Sequence, residues 1–417
     1  MIKPVEHFLT AIKDIKELPP TKKSGIIFLS ITYFLALLSY PILRSTTTSI
    51  FFKNYGAKNS PQVWLYSIVA LTIFVAISNL LQKKITIQIL YFITALFSFM
   101  FFIVGEKLLS SGIEIWAYFL YIWKESYIIL LLHQAIGLFN ATTNLSFAKS
   151  YYGILGVFGS VGGILGGLLT SSLTNYIGIG SIIYVGAGII MLSAVTFFAT
   201  VNLNSEQESS EKNDEFKNVS PISSIRGASK YVFSIVLLVM ITQFVINLGN
   251  YKFNLVFADI VQDNLLRTKY LGYIFTSINT VALLIQLILL PPLLKGISLR
   301  TIHITIPLIY SVSTILGFGI GATMLLPVAV TFIIYKGFDY SLFAAAKELL
   351  YFPLTPKQRY GAKYLADMIS YRLGKALISI ALIFFTTTQF VNITLAISLI
   401  AWFIVAWALF VFLKRKL

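Results

Sequence analysis

The chain reads as long apolar runs separated by short polar breaks. Twelve runs can be cut, at 25–43, 62–81, 85–105, 113–138, 150–172, 179–201, 231–250, 270–293, 301–321, 326–349, 363–384 and 391–413. Each is close to the roughly 20 residues a helix needs to cross a 30 Å hydrocarbon layer. The runs are continuous and not alternating, which predicts helices and excludes barrel strands. The fourth and tenth carry charges inside. Ahead of the first run, Val5, Phe8, Leu9, Ile12, Ile15 and Leu18 recur at helical spacing until Pro19 and Pro20. This predicts an amphipathic segment, 1–24, lying at the cytoplasmic face of a membrane. The segment holds Glu6, Asp14 and Glu17 and no long apolar core, unlike a cleavable signal.

One long polar stretch, 202–230, is acidic, serine-rich and nearly free of large apolar residues. It reads as a cytoplasmic linker. It divides the runs into six and six. The expected organisation is a segment 1–24, a six-helix bundle 25–201, the linker, and a second six-helix bundle 231–417. An all-α membrane protein of about twelve transmembrane helices in two such bundles has the plan of major facilitator transporters, in which two halves rock about a central site. A short echo, Ala148-Lys149-x-Tyr151 against Ala362-Lys363-Tyr364, falls after the fourth and tenth runs.

Composition narrows the class. Of 417 residues, 57% are hydrophobic and 12% charged, about half the charge of an ordinary soluble domain. The net charge of +16 suggests nucleic acid at first, but the basic residues follow membrane topology. With the N-terminus inside, 20 of the 32 lysines and arginines fall on inner segments and 6, including Lys252 and Arg267, on outer loops. Both termini are then cytoplasmic and the membrane is a bacterial inner membrane. No nucleic-acid partner is expected. Cysteine is absent, which excludes thiolate metal sites and disulfides. There is no H-E-x-x-H, no G-x-S-x-G and no cluster of metal-ligand spacing. The chain is expected to be a monomer and not an enzyme, and to need no metal or cofactor.

The fifth run is glycine-rich. Gly159, Gly163 and Gly167 repeat every four residues, as do Gly162 and Gly166. The pattern predicts close helix–helix contact and lacks the strand and lysine of a nucleotide-binding loop.

Candidate chemistry lies in the charges within the runs, since a charge at mid-bilayer costs about 2.5–3.5 kcal/mol on insertion scales. Arg44 ends the first run. It either snorkels outward or turns inward, and Pro41, which would kink the helix end, favours the inward course. Lys124 and Glu125 lie inside the fourth run. Adjacent helical residues point about 100° apart, so each is expected to pair with another helix. His133 is read as a hydrogen-bonded packing residue. The densest stretch is 335–375. There Lys336 and Asp339 share a helix face at i,i+3, Lys363 and Asp367 at i,i+4, and Arg372 and Lys375 at i,i+3. Cations outnumber acids, which favours an anion; Glu348, Asp339 and Asp367 would hold the cations until it arrives. Lys357 and Arg359 are read as a structural network of the loop.

The run SLFAAAKELLYFPLTPKQRYGAKYLADMISYRLGK is similar to the nucleotide translocases, the ATP/ADP antiporters of intracellular bacteria and plastids. The matches are Tyr340 to Phe343, Lys347, Glu348, Tyr351, Pro353, Leu354, Lys363, Asp367 and Arg372 to Lys375. YPILRS at 40–45, FNATTNLSFAKSYYGILG and VINLGNYKFN resemble further segments of that family. Four charged positions of the family differ. Thr47-Thr48 stands for a Lys-Asp pair, Asn140-Ala141 for Asn-Glu, and Asn250 for Glu. The resemblance implies a secondary transporter exchanging nucleotides, or another phosphorylated anion, across the lipid bilayer by alternating access. Arg44, Lys124, Lys336, Lys347, Lys363, Arg372 and Lys375 would face the anion, with Glu125, Asn140, Asn250, Asp339 and Asp367 beside them. The alternative is a proton-coupled transporter of a siderophore, peptide or organic acid, with Glu125, Asp339 or Asp367 carrying the proton.

Overall fold

The computed structural model describes residues 19–143, 145–200 and 220–414. The amphipathic segment up to residue 18 and linker residues 202–219 lie outside the described residues, as does the side chain of Lys149 in the echo. Among the described residues the chain is helical, with no strand. The long helices are α1 (Pro20–Tyr55), α2 (Ser60–Leu81), α3 (Ile87–Ser110), α4 (Trp116–Thr142), α5 (Leu145–Leu173), α6 (Ile179–Phe198) and α7 (Ser229–Ile260). They are followed by α8 (Asn264–Leu289), α9 (Leu299–Ile320), α10 (Leu325–Leu349), α11 (356–384) and α12 (Thr388–Lys414). Ten are long and apolar enough to cross a membrane. The other two are α4 and α11, which carry interior charges.

α1 outruns its apolar stretch. The expected span stops at Arg44, yet the helix continues to Tyr55. The run after Arg44 looks like a loop, but its hydroxyls bond back into the helix. Thr46 donates to the Ile42 carbonyl at 2.8 Å and Thr47 to that of Leu43 at 2.6 Å. Satisfied in this way, Thr46 and Thr47 are fully buried. Pro41 therefore sits inside the helix and not at its end. α7 likewise extends ten residues beyond its apolar run, to Ile260. Lys252 and Arg267, expected on outer loops, are 8% and 4% exposed. Arg267 donates to the carbonyls of Val261, Gln262 and Ser49.

The chain forms two compact units. One comprises 1–56, 66–212 and 261–283; the other comprises 57–65, 213–260 and 284–417. In the first unit α1 packs on α4, α5 and α6, and α3 packs on α4 and α6. Phe74, Phe97 and Phe101 surround Trp123, with ring centroids 4.8–5.5 Å away, within the range of favourable edge and offset contacts. The glycines of α5 work as the sequence predicts. A Cβ on Gly162 would lie 2.4 Å from the Phe34 carbonyl oxygen, and one on Gly166 2.2 Å from that of Leu38. Gly163 and Gly167 meet α8, where a Cβ on Gly167 would lie 2.5 Å from the Gly272 carbonyl oxygen.

In the second unit α7 packs on α10, α11 and α12, and α9 packs on α12. Thr355 starts α11 with a capping box. Its hydroxyl accepts from the Gln358 N–H while the Gln358 side chain accepts from the Thr355 N–H. The described end of the expected linker is not free chain. The turn Pro221–Ser224 packs against α11, where a Cβ on Gly361 would lie 2.5 Å from the Pro221 carbonyl oxygen. Among the described residues four helices contain π turns: Ile285–Leu289, Thr314–Ile320, Asp339–Phe343 and Tyr364–Ser370. Such turns, with i→i+5 bonds, are rare and concentrate at functional positions. The last two begin at Asp339 and contain Asp367.

Candidate functional site in the α10–α11 hairpin

The charges of α10 and α11 pair across the hairpin. Lys347 Nζ lies 2.6 Å from Asp367 Oδ1, and Lys363 Nζ 2.5 Å from Glu348 Oε2. Neither is the i,i+4 pair that the sequence suggests for Lys363 and Asp367. The π turn Tyr364–Ser370 accounts for the difference. Its wider turn spoils the spacing at which residues four apart face each other. Asp367 then turns to α10. Tyr351 completes the group, donating its hydroxyl to Asp367 Oδ1 at 3.1 Å. Burial first, and then the Asp367 carboxylate, hold that hydroxyl well above the usual phenol range. It therefore stays protonated and serves as a donor. Lys363 Nζ also lies 5.4 Å from the centre of the Tyr351 ring. Tyr351 stands among the family-like residues of the sequence, but only its contact with Asp367 marks it as part of the site.

Exposure separates the two pairs. Lys363 and Glu348 are 44% and 47% exposed, Lys347 and Asp367 19% and 27%. An exposed pair contributes about 0–1 kcal/mol. Glu348 can thus be exchanged for another anion at little cost, while Lys347 is held more firmly. Beside them, Asp339 is half-buried and within electrostatic reach of Lys336 and Lys347. Lys336 Nζ lies 5.7 Å from the centre of the Tyr340 ring. Arg372 and Lys375 are half-buried, about one and two turns beyond Asp367 on α11. Arg359 donates to the carbonyls of Tyr351, Phe352 and Leu354, tying the loop as expected of it.

The first unit holds a second charged group. Lys124 and Glu125 pair with each other at 2.9 Å, contrary to expectation. Their Cα–Cβ bonds diverge, but the four-carbon lysine stem bends across the helix surface. Lys124 also donates to Thr48 on α1 at 3.2 Å and lies 3.7 Å from the centre of the Tyr121 ring. Its side chain is 1% exposed and that of Glu125 19%. Arg44 stands one turn from Thr48 on the same face of α1. Its guanidinium is 4.4 Å from the centre of the Phe275 ring and 5.4 Å from that of Tyr40. Asn140, at the end of α4, is exposed and accepts a hydrogen bond from the Tyr152 hydroxyl. Asn250 is half-buried on α7. His133 lies on an exposed face of α4. Among the described residues the buried histidine is His303 on α9, at 1%, with Nε2 3.2 Å from the Ala346 carbonyl oxygen.

The profile of the TLC ATP/ADP transporter family matches residues 104–416. No curated protein matches the chain. Among solved structures, the nucleoside transporter NupG shares 14% identity at a TM-score of 0.65, covering 94% of this chain and 99% of that one. A bacterial homologue of the iron transporter ferroportin, in an inward-facing state, shares 11% at 0.62, covering 94% and 98%. A bacterial homologue of the human lysosomal transporter Spinster shares 12% at 0.59, covering 96% and 98%. At these identities the likeness establishes the fold, which is that of the major facilitator transporters.

Proposed function

Because the chain belongs to the TLC ATP/ADP transporter family, and is a multi-pass membrane transporter, we propose that it exchanges nucleotides, or a similar phosphorylated anion, on the cations of the α10–α11 hairpin. The observation that carries this reading is the crossed pairing of Lys347 with Asp367 and Lys363 with Glu348. Each cation is neutralised by a carboxylate that a phosphate can replace. The replacement converts one charge-assisted hydrogen bond into another, and such bonds contribute about 1.5–3 kcal/mol each. Without solute the carboxylates hold the lysines in place. Tyr351 keeps Asp367 positioned after Lys347 has turned to the phosphate. Lys336, Arg372 and Lys375 add positive potential along the same helices.

Arg44, Lys124 and Glu125 form the corresponding set in the first unit. Lys124 reaches Thr48, so a cation from α4 stands where α1 carries hydroxyls. Asn250 offers an amide in place of a carboxylate, and with Asn140 it would bind neutral parts of the solute. The exchange proceeds by alternating access. It involves no catalytic step. The excess of basic residues on one set of loops supports a bacterial inner membrane with cytoplasmic termini, and the protein functions as a monomer.

One feature favours proton coupling as a second reading. Asp339 makes no ion pair or hydrogen bond among the described residues, as suits a group that takes up and releases a proton. Proteoliposomes decide between the two. Exchange predicts uptake of labelled ATP that requires internal ATP or ADP and is indifferent to a protonophore. The Lys363→Gln variant should lower that uptake roughly 10- to 100-fold, the equivalent of one lost charged contact. Uptake that needs no internal nucleotide and collapses with the protonophore would replace exchange by proton coupling.

A further inference from the structure

Lys252 of α7 is a buried cation outside the groups described above. Its Nζ donates to the Phe318 carbonyl of α9 at 3.0 Å and to Oδ1 of Asn392 on α12. Among the described residues no acidic side chain pairs with it. The Phe318 carbonyl belongs to the last turn of α9, where the helix end presents partial negative charge. Part of the ammonium charge is met there, but only by neutral groups. An ammonium has three hydrogens, and these contacts use two.

The surroundings say what could take the third. Lys252 lines a cleft of about 720 Å³ bounded by α7, α9 and α12. Its other walls are mainly apolar, including Ile315, Ile320 and Ile400, which are 60%, 80% and 61% exposed on helices long and apolar enough to span a bilayer. Exposed isoleucines on such helices are the surface that meets acyl chains. The cleft therefore joins an unmatched cation to a lipid-facing apolar wall. Ser311 and Thr314 add hydroxyl oxygens to the rim.

We propose that this cleft binds one acidic phospholipid, its phosphodiester on Lys252 and Asn392 and an acyl chain along the isoleucine wall. A phosphodiester carries a single negative charge, which matches the single lysine. It accepts the free ammonium hydrogen and a bond from the Asn392 amide nitrogen. A neutral zwitterionic lipid brings its own cation and leaves Lys252 unmatched. The site is distinct from the hairpin cations and does not depend on what the transporter carries.

The test uses the full-length protein purified in a neutral detergent. Native mass spectrometry and thermal unfolding are recorded with added phosphatidylglycerol or phosphatidylcholine. The expected result is one phosphatidylglycerol retained per chain and a rise in unfolding temperature that phosphatidylcholine does not give. Lys252→Gln should lower retention at least fivefold, and Lys252→Arg should keep it. Because Lys252→Gln also removes the α9 contact and can impair folding, Ala396→Trp serves as the second variant. It fills the cleft from α12 and leaves the bonds of Lys252 in place, and it too should lose the lipid. Equal retention of both lipids, or retention unchanged in Ala396→Trp, would overturn the proposal and leave Lys252 as a structural cap of α9. Displacement of the lipid by millimolar ATP would assign the lysine to the solute path, and displacement by oleate at equal concentration would assign the cleft to a fatty acid; either outcome rejects the phospholipid.

Discussion

Exchanging the partners of the inner hairpin pair, as K347D/D367K, should restore folding but not transport. The single changes separate two effects. Asp367→Asn leaves Lys347 without its carboxylate while keeping an amide oxygen that can accept from the Tyr351 hydroxyl. Breaking a fully buried pair from one side costs about 3–5 kcal/mol. At 19% and 27% exposure solvent takes up part of that, so the expected loss of stability is smaller than the buried figure. Lys347→Gln should lower exchange roughly 10- to 100-fold, because it deletes a charged contact with the solute. The swap rebuilds an ion pair between the same two helices with its sign reversed. A pair that only holds the bundle would regain both stability and transport. A lysine that must present its charge from α10 to an anion would regain stability alone. Unfolding temperature in detergent and exchange rate in proteoliposomes, measured on the same three variants, tell these apart; recovery of exchange in the swap would return Lys347 and Asp367 to a structural role.

The second large effect concerns the α1–α5 seam. Gly166→Ala places a methyl carbon 2.2 Å from the Leu38 carbonyl oxygen, and Gly162→Ala places one 2.4 Å from that of Phe34. Both obstacles are backbone, so no side chain can rotate away and the two helices must separate. Overpacking of this kind costs about 1–3 kcal/mol per site and at times more. The double variant G162A/G166A is expected not to fold. Gly153 on the same helix is the control. A Cβ there meets nothing within 4 Å, and alanine is favoured over glycine in a helix by about 1 kcal/mol. Gly153→Ala should therefore leave the unfolding temperature unchanged or raise it. If all three single variants unfold at the same temperature, the seam is not the close contact described.

The helical spans were legible from the apolar runs because a bilayer leaves few other ways to satisfy a backbone. Their ends were not. Arg44 looked terminal because serine and threonine dominate the sequence after it, and composition does not show that Thr46 and Thr47 bond back to the carbonyls four residues earlier. The same reading placed Lys252 and Arg267 on loops. The density of charge at 335–375 drew attention to the hairpin, and family-like residues to Lys347, Tyr351, Lys363 and Asp367. The pairing among them was hidden. Rules for residues three and four apart see one helix at a time and assume ordinary turns, whereas π turns begin at Asp339 and contain Asp367. The direct pairing of Lys124 with Glu125 was excluded on backbone direction alone, which ignores the reach of a lysine.

In the proposed exchange the hairpin lysines trade their carboxylates for the phosphates of the solute. Equilibrium binding of ATP to the purified protein tests it without the complications of transport. The wild type should bind ATP with an affinity that falls as salt rises, because ion contacts are screened. K347Q/K363Q should bind at least 100-fold more weakly while unfolding cooperatively. ATP affinity unchanged in the folded double variant would mean that these lysines do not hold the phosphates.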